Sequence, residues 1–83
     1  MSQSVANEGK YPNIVELVVR EKRLDVGLGR RIMNFHNSRR IKPRHGRIIL
    51  RKGKSYYRWC FSDLPTARAF VEVVGGSLYE PNR

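Results

Sequence analysis

Residues 62–76 carry a complete set of helix signals, and a helix there constrains whatever packs beside it. Ser62 or Asp63 can cap its start, Pro65 falls in the first turn, and Ala67, Phe70, Val71 and Val74 recur at i, i+3, i+4 and i+7 before Gly75-Gly76 ends the run. A helix apolar along one stripe must bury that stripe against another element. The partner lies directly upstream. Arg47–Arg51 and Ser55–Phe61 read as strands joined at Lys52-Gly53, where glycine supplies the positive φ of a tight turn. With a two-residue loop, Leu50 faces Ser55 and Ile48 faces Tyr57, so Ile48, Leu50, Tyr57, Trp59 and Phe61 share the face offered to the helix. Arg47, Ile49, Arg51, Tyr56, Arg58 and Cys60 take the opposite face.

The first half reads as helical. Pro12 suits a first helical position, and Ile14, Leu17 and Val18 form an i, i+3, i+4 stripe over Tyr11–Arg23, with Glu16 and Arg20 as an i, i+4 pair. The β-branched Val15, Val18 and Val19 favour a strand as the alternative. Asp25 can cap a second helix over Val26–Ser38, with Leu28, Ile32 and Phe35 inward, and Pro43 and Gly46 break the chain after it. Met1–Lys10 is polar and aperiodic and reads as a mobile arm. Ser77–Glu80 can form a short third strand beside the hairpin before Pro81. The expectation is therefore a small α+β domain spanning residues 11–83 behind a flexible arm of residues 1–10. Its order is α-α-β-β-α-β, with a basic β-hairpin packed on the C-terminal helix, and 83 residues leave room for only one core.

Charge is distributed unevenly along this chain. The net charge is +10, from 17 basic and 7 acidic residues. Between Val26 and Ser62 stand Arg30, Arg31, Arg39, Arg40, Lys42, Arg44, Arg47, Arg51, Lys52, Lys54 and Arg58, without one Asp or Glu. A surface with no binding role usually intersperses both signs, because like charges repel and unbroken patches attract polyanions. Arginine predominates, and the guanidinium fork suits phosphate and base edges.

Two constellations follow. The first is a helix-turn-helix in which two helices meet at Arg23-Leu24-Asp25 and the second turns Arg30, Arg31, Asn34 and Asn37 outward, flanked by Arg39 and Arg40. Arginine forks onto guanine and asparagine onto adenine in the major groove, and a basic hairpin can serve as a wing. The second is the hairpin, where Arg51, Lys52, Lys54, Tyr56, Tyr57, Arg58 and Trp59 interleave charge with rings. If Tyr57, Trp59 and Phe61 belong to the core, Tyr56 remains as a stacking platform beside Arg47 and Arg58. Lys42 and Arg44 complete the expected contact set. Together these features point to a non-enzymatic protein that binds DNA or RNA without cofactor or metal.

Other classes find less support. His36, His45 and Cys60 lack the paired spacing of a zinc site, and Gly27-Leu28-Gly29 lacks the rest of a phosphate loop. His45 between Arg44 and Arg47 could serve a small ribonuclease as general acid or base. A basic module docking on an acidic protein surface is the second reading, since arginine and exposed tyrosine are enriched at interfaces. No apolar run reaches the length of a membrane span, the amino end is polar, and one cysteine suits a reducing compartment, so a cytoplasmic setting is expected.

Overall fold

In the computed structural model, which describes residues 2–19 and 26–80, the hairpin closes on the expected two-residue turn. Lys52 and Gly53 both adopt positive φ, 50° and 77°, the combination that suits the twist of a tight hairpin. Strand β2 (Ile49–Arg51) pairs through this turn with β3 (Lys54–Phe61), placing Leu50 opposite Ser55. Helix α3 (Leu64–Val73) follows with its signals in place. Asp63 accepts a hydrogen bond from the Thr66 N–H at 2.8 Å, and Ala67 and Phe70 are buried.

From Val26 onward the order is the expected α-β-β-α-β, beginning with α2 (Val26–Ser38) and ending with β4 (Ser77–Leu78). The first segments differ. Residues read as a mobile arm form α1 (Gln3–Lys10), capped by Ser2, whose hydroxyl accepts from the Val5 N–H. Within the segment read as a first helix, Asn13–Val19 is strand β1. The long β3 explains the change: it needs a second neighbour, and β1 pairs with it antiparallel from Asn13↔Phe61 to Val19↔Ser55. Five of its residues are buried on both faces, which hides the alternation expected of a strand. The Glu16–Arg20 pair, the Arg23-Leu24-Asp25 junction, the Asp25 cap and Pro81 involve positions outside the described residues.

Among the described residues, three helices and four antiparallel strands thus make one small α+β domain, with sheet order β2-β3-β1-β4. The short last strand adds to β1, with Val15 opposite Leu78, rather than to the hairpin. Val15, Leu17, Trp59 and Phe61 on one sheet face meet Ile32 and Phe35 of α2 and Ala67, Phe70 and Val74 beside α3. Phe70 is the hub, with its ring 5.2 Å from Phe61 and 5.3 Å from Phe35. Ile48 and Leu50, expected in this core, are instead 59% and 75% exposed. They fall outside the area that α3 mainly covers, because α3 packs chiefly on β1 and β3.

Gly76 shows how tightly the return to β4 is drawn. It has φ +91°, and a Cβ there would stand 2.6 Å from the Glu16 carbonyl oxygen and 2.9 Å from Leu17 Cδ2. Gly76→Ala is expected to cost at least about 1 kcal/mol, since both backbone conformation and space oppose it. Denaturant titration checks this, with Gly53→Ala, where nothing lies within 4 Å, as the control for positive φ alone.

Candidate nucleic-acid interface

The carboxylate-free stretch of sequence acquires carboxylates from elsewhere when the chain folds. Glu16, 6% exposed at the centre of β1, accepts from Arg51 Nη1 and Nη2, both at 2.9 Å, and from Arg58 Nε at 2.9 Å. Glu8, on α1, accepts from Arg58 Nη1 at 2.7 Å, from Arg47 Nε and Nη2, and from the Arg47 backbone N–H at 2.6 Å. Arg58 joins the two acids and is itself 4% exposed. Burial alone would raise both carboxyls, but the arginine hydrogen bonds outweigh it and hold them below their ordinary value. Arg47, Arg51 and Arg58, three members of the expected contact set, are therefore engaged in fastening α1 and β1 to the hairpin. Arg58 is unavailable to a surface ligand.

Most of the remaining candidates stay outside. Arg30, Arg31, Asn34 and Asn37 are exposed along α2, whose opposite side buries Ile32, Phe35 and His36. Arg39 lies 4.6 Å over the Phe35 ring, and Arg40 leaves the helix with φ 55°. Lys42 is exposed, and so are Lys52 and Lys54 around the hairpin turn. Arg30, Arg31, Arg40, Lys42, Lys52 and Lys54 make no ion pair among the described residues. Tyr56 is not an open platform: it is half-buried, with the Arg51 guanidinium 4.9 Å from its ring centre. Among the described residues the expected helix-turn-helix lacks its first helix, because Asn13–Val19 is strand β1. The outward face of α2 stands without that scaffold.

Sequence reasoning passed over Lys10 and Tyr11. They line an open groove with Lys42, Pro43, Arg44 and His45, and the Arg44 guanidinium sits 4.0 Å over the Tyr11 ring. Ser2 ahead of an eight-residue stretch with Lys10 in its last turn is the capping signature that marks α1. His36 was also missed as a core residue. It is fully buried among Phe35, Trp59, Phe61 and Phe70, and its Nδ1–H donates to the Ile32 carbonyl at 2.8 Å.

The two histidines are not brought into one accessible site, because His45 is exposed against the Trp59 ring at 4.2 Å while His36 is enclosed. Burial pushes the Cys60 thiol up to about 11, which suits an inert core residue. Among the described residues no three His, Cys, Asp or Glu side chains gather where a metal ion could be held, and no helix is long and apolar enough to cross a membrane. Comparison with known protein families, curated proteins and solved structures finds no significant match, so the site is read from its own chemistry.

Proposed function

We propose that the chain is a non-enzymatic nucleic-acid-binding domain that works in the cytoplasm and takes its main phosphate contacts from the outward face of α2 and the corner after it. The observation that carries this reading is an asymmetry in charge pairing. Glu8 and Glu16 engage Arg47, Arg51 and Arg58, whereas Arg30, Arg31, Arg39, Arg40 and Lys42 lie exposed with no described carboxylate beside them. Holding those like charges together costs free energy unless a polyanion offsets it. Asn34 and Asn37 on the same face add amide groups able to meet base edges.

Titration with duplex DNA, single-stranded DNA and structured RNA at several salt concentrations tests the proposal. If five bases each neutralise one phosphate, log affinity should fall against log salt with a slope of roughly −4.5 on duplex DNA. Replacing Arg30, Arg31, Arg39 and Arg40 by alanine should flatten that slope to near −1. Affinity that is absent at about 50 mM salt, or insensitive to salt, would defeat the reading.

One observation favours a second reading, in which the domain docks on an acidic protein surface. The exposed Leu50 lies on edge strand β2 with the exposed Ile48 just before it, and Lys52 and Lys54 follow at the turn, an apolar and basic mixture that suits a protein partner. The same titration separates the two, since that mode needs no nucleic acid.

A further inference from the structure

Between α1 and residues 42–45 lies an open groove of about 750 Å³, within the size range of pockets that accept small organic groups. Its walls are tied together. Asn7 Nδ2 donates to the His45 carbonyl at 2.9 Å, and Glu8 on the same helix holds the Arg47 backbone. Lys10, Lys42 and Arg44 line the groove, and none is ion-paired with a described carboxylate. Arg44 is held in place by donating to the Lys42 carbonyl at 3.2 Å and lying over Tyr11. His45 contributes a second ring, backed by Trp59 at 4.2 Å.

Cations and rings within one recess match the two parts of a nucleotide, an anionic phosphate and a flat base. A recess does not suit a duplex, whose grooves are read by elements that protrude into them. An unpaired strand can instead lower a base into a pocket while its backbone follows the charges outside. The chain itself links this groove to the α2 face, because Arg39, Arg40 and Lys42 connect them in sequence. We propose that the groove seats one nucleotide unit of a single-stranded nucleic acid, its phosphate against Lys10, Lys42 and Arg44, the last held by the Tyr11 ring, and its base against the exposed ring of His45. This inference rests on the nucleic-acid reading above and adds to it a preference for unpaired strands.

Fluorescence anisotropy with short labelled oligothymidine, oligouridine and a duplex of equal length tests it at about 50 mM salt. Lys10→Ala with Arg44→Ala removes two groove cations that lie outside the α2 contact set and leaves the core untouched. The double variant should bind single strands about tenfold more weakly, with less than about a twofold change on the duplex. The ratio between oligouridine and oligothymidine then separates RNA from DNA as the source of the strand. Photocrosslinking to a thiouridine-containing strand should place the adduct on the peptide that holds His45. Equal losses on single strands and duplex, or adducts confined to the hairpin, would overturn the inference. Binding to duplex alone would overturn it while sparing the broader reading, and no binding to any nucleic acid would overturn both.

Discussion

Replacing Glu16 by alanine is expected to remove about 3–5 kcal/mol of unfolding free energy, a large share of what a single small core supplies. The carboxylate receives two hydrogen bonds from Arg51 and one from Arg58, and Arg58 is buried. Without Glu16, Arg58 keeps only Glu8 as counter-charge, and its Nε–H loses its acceptor beneath the surface. Arg51 loses less, because its side chain is 41% exposed and water can replace the acid. Two further variants separate charge from shape. Glu16→Gln keeps an acceptor and should lose less than alanine, while Glu16→Leu combined with Arg58→Met should recover much of the loss by removing both charges. Urea unfolding of the four proteins measures this series. A loss below about 1 kcal/mol for Glu16→Ala would mean that the network behaves like an ordinary surface pair.

That network also shows where reading the sequence reached its limit. The α3 signals and the Lys52-Gly53 turn are local, each contained within a few residues, and both elements form where expected. Strand β1 was ambiguous because Ile14, Leu17 and Val18 fit a helical stripe while its valines fit a strand. The decision came from the unsatisfied edge of β3, a neighbour more than thirty residues away. Helical spacing offers Glu16 only Arg20 as a local partner, and gives no sign that in the fold Glu16 accepts from residues 35 and 42 positions downstream. Ion pairs at such separations leave no periodic trace. The absence of acids between Val26 and Ser62 was therefore a property of the sequence that only part of the folded surface retains.

The candidate interface divides along the same line. The polar face of α2 was legible because helical periodicity sets Arg30, Asn34 and Asn37 opposite Ile32 and Phe35. The groove at Lys10, Tyr11 and Arg44 was not, since it exists only once α1 docks on a segment far along the chain. Glu8 links both observations. It pairs the exposed Arg47 and the buried Arg58, and by doing so it positions the helix that carries Lys10.

Acidification is expected to destabilise the domain in two stages, the first of which belongs to His36. Burial holds its imidazole below the ordinary value of 6.5, opposed by the hydrogen bond to the Ile32 carbonyl and reinforced by His45 and Arg44. The unfolded chain takes up this proton at about pH 6.5 while the folded chain still resists it. Stability is thus full above that pH and declines as pH falls through it toward the lower folded value. Glu8 and Glu16 add the second stage. Their carboxyls are held below the ordinary 4.5 in the fold, so the unfolded state again protonates first, and their contribution, present above that value, is lost as pH falls further. Denaturant midpoints should drop between pH 7.5 and 5.5 and then again below about pH 4.5. His36→Phe keeps an aromatic ring among Phe35, Phe61 and Phe70 but cannot accept a proton, so it should remove the first decline and preserve the second. Whatever repacking the larger ring requires shifts the whole profile, whereas the slope between pH 7.5 and 5.5 reports the titration alone. If that slope is equally steep in both proteins, some group other than His36 controls the first stage.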